Sequence, residues 1–209
     1  MLSPEFEVFL GWRKKYISFD CARISLGVVV MSTVDYPTQY MQCISVRHGP
    51  QFISQYVNAH RKVEYIDVWN VNRPGIDKGD LSQTAAELKR RLTILTAQHH
   101  ITHMIYEFQM NANDKSRAIG RFLLYHFAGT NIPIISIRAA RKNLITLRED
   151  LDCRNFFERY STGYKARKEH SAASMIAWCK LFGIDISHIA KKNHDDAGDA
   201  LMQILAHLY

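Results

Sequence analysis

The strongest constraint this chain places on its fold is the order of its strand-like and helix-like stretches: three strands, a helix, a strand, a helix, a strand and two helices. Tyr16-Ile17-Ser18-Phe19-Asp20 alternates apolar and polar residues, and Leu26–Met31 is a β-branched run beyond a short polar turn. Together they predict a hairpin with Asp20 at the end of its first strand. Val63–Val71 alternates as a third strand and stops at the breaker cluster Asn72-Arg73-Pro74-Gly75. Asp80-Leu81-Ser82-Gln83 has the spacing of a capping box, and Leu81, Ala85, Leu88, Leu92 and Leu95 mark one apolar stripe of the helix it opens. Ile101–Gln109 is a short β-rich run carrying Glu107, followed by a helix from about Asn113 to Ala128 that stops at Gly129. Ile132–Ile137 reads as a buried strand. Ala172, Met175, Ile176, Cys179 and Leu181 outline a helix ended by Gly183, and Ala197, Leu201, Ile204, Leu205 and Leu208 outline the last one.

Several stretches resist assignment. Residues 33–61 read as strand plus insertion, with a strand at Gln39–Val46, a turn at His48-Gly49-Pro50 and a helix over Gln51–Asn58. Residues 139–165 interleave Arg148, Arg154, Arg159 and Lys165 with Phe156, Phe157, Tyr160 and Tyr164. That mixture suits phosphate contacts and base stacking, although a partly solvated helix packing its aromatics inward is the favoured reading. The apolar surface left over on the 113–128 helix, with Leu124 and Tyr125, suits either core or a dimer face.

Composition bounds the function classes. At 209 residues, with 47% of them hydrophobic, the chain can bury one core, and about 150 residues per domain is the usual measure. Twenty-seven Lys and Arg against twenty Asp and Glu leave +7, which favours a polyanionic partner, nucleic acid first. No apolar run approaches the ~20 residues that span a bilayer, and Met1–Glu7 lacks the basic start and apolar core of a signal peptide. An intracellular, non-secreted protein without a membrane partner is expected. Cys21, Cys43, Cys153 and Cys179 are scattered, with no C-x-x-C pair, which suits reduced thiols rather than a zinc ribbon or a disulfide framework.

The candidate chemistry is carboxylate chemistry. In His194-Asp195-Asp196-Ala197-Gly198-Asp199-Ala200, helical spacing puts Asp196 and Asp199, and also Asp195 and Asp199, on one face. Converging carboxylates repel unless a cation joins them, although an acidic first turn is also ordinary at a helix N-terminus. Asp20 alone would pass for a turn aspartate, and Glu107 for a solvated strand end. A glutamate ending a mostly apolar strand is nevertheless costly unless it is paired or metal-bound. An acid near the first strand, the fourth strand and the last helix is the element order of an RNase H-like fold, a mixed five-stranded sheet flanked by helices. There, strand ends and a terminal helix gather carboxylates around two divalent cations.

The motifs Ile17-Ser18-Phe19-Asp20, Tyr106-Glu107-Phe108-Gln109 and Asp195-Asp196-Ala197-Gly198-Asp199-Ala200 resemble the acidic motifs of RuvC-type Holliday junction resolvases, especially the poxvirus-like viral branch. The likeness extends through Tyr164–Ser171 and Trp178–Gly183, and covers residues 16–209, leaving 1–15 as an N-terminal extension. It implies Asp20, Glu107, Asp196 and Asp199 as ligands of two Mg2+ ions, with Mn2+ able to substitute, and Lys168 as the basic active-site residue, with Lys165 and Arg167 as rivals. Asp195 is left beside the ligand pair as a supporting or capping residue, and His194 as an unassigned neighbour. The implied activity is paired nicking of four-way DNA junctions by a homodimer, in a cell or, for a viral chain, at the host's site of DNA replication in cytoplasm or nucleus. In place of the family's common glycine-containing turn, Asp20 is followed by Cys21-Ala22-Arg23. The rivals are another RNase H-like nuclease, for a hybrid or of the proofreading type, and a silent DNA-binding protein. A proofreading exonuclease wants Asp-x-Glu on the first strand, which Asp20-Cys21-Ala22 lacks.

Overall fold

The structure is a computed structural model, and it describes residues 13–21, 25–34, 61–71, 81–107, 114–138, 164–181 and 183–208. The expected strand at Gln39–Val46, the helix over Gln51–Asn58, Asp80 of the capping box, Gln109 and the basic-aromatic stretch from Ala139 to Gly163 lie outside those residues.

Five strands, β1 (Arg13–Cys21), β2 (Ser25–Val34), β3 (Arg61–Asn70), β4 (His103–Glu107) and β5 (Ile134–Ile137), form one mixed sheet in the order β3-β2-β1-β4-β5. β1 and β2 pair antiparallel, as do β2 and β3, whereas β4 runs parallel to β1 and β5 parallel to β4. This is the mixed five-stranded sheet that the element order predicts. The first strand begins at Arg13 rather than Tyr16, because Arg13, Lys14 and Lys15 continue the ladder opposite Val34, Thr33 and Ser32. Backbone pairing needs no apolar side chain, so the alternation that marks Tyr16–Asp20 is silent about it.

Among the described residues four α-helices cover the sheet: α1 (Leu81–His99), α2 (Asp114–Ala128), α3 (Tyr164–Leu181) and α4 (His194–Leu208). Side chains alternate across each strand. Ile17, Phe19 and Cys21 therefore join Leu88, Leu92 and Leu95 of α1 and Ile119, Leu123 and Phe127 of α2 in one core. Tyr16, Ile105, Val29 and Met31 join α4 and the Met175–Cys179 part of α3 in the other. Leu88, Leu92 and Leu95 of the stripe expected for α1 and Ala197, Leu201, Ile204 and Leu205 of that expected for α4 are buried, whereas Ile176, expected on the α3 stripe, is 44% exposed. None of the described helices is long and apolar enough to cross a membrane.

α4 lies directly on the sheet. A Cβ at Gly27 of β2 would collide with the backbone oxygen of Asp196, and one at Gly198 would collide with the backbone oxygen of Ser171 on α3. Two missing side chains thus let sheet, α4 and α3 approach backbone to backbone. Leu201, Ile204 and Leu205 are fully buried behind this contact. At ~1.5–3 kcal/mol for each such side chain removed from water, they hold α4 on the sheet against the repulsion among the acids at its start.

Candidate active site

The acids of interest sit where three elements meet. Phe19 of β1 pairs in parallel with Tyr106 of β4, so the next residue on each strand, Asp20 and Glu107, ends neighbouring strands at the same edge. Asp20 also faces Gly27 across the hairpin, and the start of α4 is pressed against that glycine. Asp20, Glu107 and Asp196 are all buried. The thiol of Cys21 lies close enough to feel both Asp20 and Glu107; burial first, then those two charges, push its pKa up.

Each remaining carboxylate is held by a side chain from another element. Ser25 of β2 donates a short hydrogen bond to Asp196, and Ser171 of α3 donates one to Asp199. Gln203, two turns into α4, donates from Nε2 to Glu107 Oε2 at 3.2 Å. Burial pushes the Asp196 carboxyl up, while the Ser25 hydroxyl and the Lys168 ammonium pull the other way.

Lys168 supplies the positive charge. Its Nζ lies 2.8 Å from Asp195 Oδ2 and 3.4 Å from Asp196 Oδ1. Burial works against the ammonium, but the hydrogen bond to Asp195 and the charges of Asp199, Asp20 and Asp195 prevail, so its pKa rises. One cation therefore senses acids from β1 and α4 together. Of its rivals, Lys165 is exposed and pairs with Glu169 at 3.8 Å, on the same helix, whereas the side chain of Arg167 lies outside the described residues.

The sequence-derived candidates Asp20, Glu107, Lys168, Asp196 and Asp199 thus meet at one end of the sheet. Asp195 joins them as the closest partner of Lys168. His194 does not, since its Nε2 lies 3.0 Å from the Ile189 backbone oxygen. Ser25, Ser171, Ser18 and Gln203 escaped the sequence reading. The available signal was a glutamine seven residues after Asp196, on the same helical face, and a serine two residues before Asp20, on the same strand face.

Among the described residues, no three His, Cys, Asp or Glu side chains stand close enough to hold one metal ion. The donor chemistry nonetheless fits a hard divalent cation. Every acid offers carboxylate oxygen, no soft ligand takes part, and clustered negative charge already draws a lysine inward.

This sheet, with its antiparallel hairpin edge and helices on both faces, is RNase H-like in fold. Solved structures sharing it include RuvC of Thermus thermophilus, at 10% identity over 93% of each chain with a TM-score of 0.52. The same RuvC in complex with a Holliday junction substrate matches at 11% identity over 93% of this chain and 92% of that one, TM-score 0.51. The fowlpox virus Holliday junction resolvase matches at 15% identity over 93% of this chain and 97% of that one, TM-score 0.54. The expected likeness to RuvC-type and poxvirus-like resolvases is borne out in the fold. No protein-family profile and no curated protein matches the sequence.

Proposed function

We propose that this chain is a metal-dependent, structure-selective endodeoxyribonuclease that resolves four-way DNA junctions by paired symmetric nicks. The observation that carries the reading is that Lys168 senses Asp20, Asp196 and Asp199 together while Glu107 ends the strand next to Asp20, on a fold shared with two junction resolvases. In this reading Asp20, Glu107, Asp196 and Asp199 hold two Mg2+ ions, which Mn2+ can replace. Two such ions supply a metal-activated water and charge stabilisation for the attacking and leaving oxygens of a phosphodiester.

The protein's own residues prepare that chemistry. Gly27 lets the start of α4 settle against the sheet beside Asp20, and Gly198 lets α3, which carries Lys168, approach α4. Ser25 and Ser171 fix the rotation of their carboxylates. Asp195 steers the Lys168 ammonium toward the acids, where it can meet the negative charge of a phosphate. The net charge of +7 adds shape-blind attraction to the DNA backbone, and a two-fold homodimer suits a substrate that must be cut on two symmetry-related strands. The activity belongs inside a cell, where DNA is replicated and recombined.

The test is cleavage with Mg2+ or Mn2+ of a mobile four-way junction, a plain duplex and an RNA:DNA hybrid. Junction nicking at least tenfold above duplex is expected, and Asp196→Asn should bind the junction without nicking it. Equal cleavage of duplex and junction, or hybrid cleavage alone, would sink the resolvase reading. One observation favours a silent DNA-binding protein: Lys168 already bridges Asp195 and Asp196. No cleavage with either metal would select that reading.

A further inference from the structure

A glutamine in the middle of a core needs a reason. Gln203 and Ser18 are both 0% exposed, in a region otherwise filled by Tyr16, Ile105, Leu201 and Ile204. An uncompensated buried amide or hydroxyl costs ~1–3 kcal/mol, and leucine or methionine would fill the volume without that cost. The two polar groups compensate each other and one carboxylate. The Ser18 hydroxyl donates to Gln203 Oε1 at 2.6 Å, and Gln203 Nε2 donates to Glu107 Oε2 at 3.2 Å. The carboxylate decides the orientation: it only accepts, so the Gln203 NH2 faces Glu107 and the amide oxygen is left to take the Ser18 hydroxyl, which can donate.

The three members come from β1, α4 and β4, the same three elements that carry Asp20, Asp196 with Asp199, and Glu107. Ser18 lies two residues before Asp20 on one strand face, and Gln203 lies one turn beyond Asp199 on one helix face. The chain of hydrogen bonds therefore ties the acid-bearing elements together just below the acids.

We infer that Ser18 and Gln203 are positioning residues that fix the Glu107 carboxylate for a divalent cation. The inference rests on the proposed metal-dependent reading of the site and adds to it a support that touches neither DNA nor metal. Neutral supports of this kind around a ligand carboxylate are worth roughly 10–100-fold in metal affinity when removed. Lys168 balances charge among Asp20 and the α4 acids, whereas Gln203 offers Glu107 a neutral amide, which orients without competing as a cation.

Mn2+ affinity of the full chain without DNA, measured by calorimetry, is the direct readout, alongside junction binding in EDTA and thermal unfolding without metal. Gln203→Met should weaken Mn2+ binding about tenfold while junction binding in EDTA changes less than twofold, and raised Mn2+ should restore junction nicking. Ser18→Ala, a smaller change that preserves the fold if methionine does not, should weaken Mn2+ binding about threefold. Parent-like Mn2+ affinity in Ser18→Ala and in a folded Gln203→Met overturns this inference and leaves the proposed function standing. Failure of the parent chain to bind Mn2+ overturns both.

Discussion

Lys168 shows how one side chain can both stabilise and obstruct. Pressed between Asp195 and Asp196, its ammonium lowers the repulsion among acids that would otherwise resist packing α3 against α4. It is also a cation in the neighbourhood proposed for others. Removing it should therefore not weaken metal binding, yet should deprive a phosphate of a nearby charge, a loss of roughly 10²-fold in turnover by analogy with single preorganised donors. Lys168→Ala is expected to keep or gain Mn2+ affinity while nicking falls by about that factor, read by calorimetry and single-turnover cleavage. A fall in Mn2+ affinity matching the fall in nicking would remove Lys168 from the role given it. At this scale the charged residues were legible, because an acid at a strand end or a helix start is conspicuous. The neutral ones were not. Ser25 and Ser171 each matter through a hydrogen bond to one carboxylate and Gln203 through a bond on either side of its amide, and nothing in a sequence tells which of many serines will face a carboxylate.

Elements were legible where a stripe or an alternation exists, and obscure where the site itself removes it. α3 begins at Tyr164, well before the apolar positions from Ala172 onward that mark it in the sequence. Its first two turns carry Lys165, Lys168 and Glu169, since that end is turned toward charge rather than core, so no apolar period could announce them. α4 keeps its stripe because the acids occupy only its first turns. What no pattern conveyed is how closely α4 lies on the hairpin. Gly27→Ala would place a methyl group against the Asp196 backbone oxygen, and backbone on both sides leaves no flexible side chain to yield. A loss of about 1–3 kcal/mol in denaturant unfolding is expected, with nicking reduced further than the stability change explains because Asp196 must shift. Unaltered stability and nicking would mean that α4 sits farther from β2 than described.

For the whole molecule, charge and symmetry give the clearest expectations. An excess of seven positive charges predicts junction binding that falls linearly in log affinity with log salt. Two protomers per junction should sediment together in EDTA, and Tyr125, 79% exposed on α2, is a large aromatic available to a partner copy. One protomer per junction at saturation would remove the paired-nick part of the proposal. The architecture as a whole was written in the element order, because a hairpin followed by alternating strands and helices leaves few ways to build one sheet.

The acids come from β1, β4 and α4, the first, middle and last described elements of the chain, and the sheet joins β1 to β4 across more than 80 intervening residues. A nascent polypeptide carrying the first two contributors has neither Asp196 nor Asp199, and nothing yet presses on Gly27. On the proposed reading, cutting waits for α4: a chain truncated before α4 lacks two of the four proposed ligands and is expected not to nick DNA, checked by cleavage of a four-way junction.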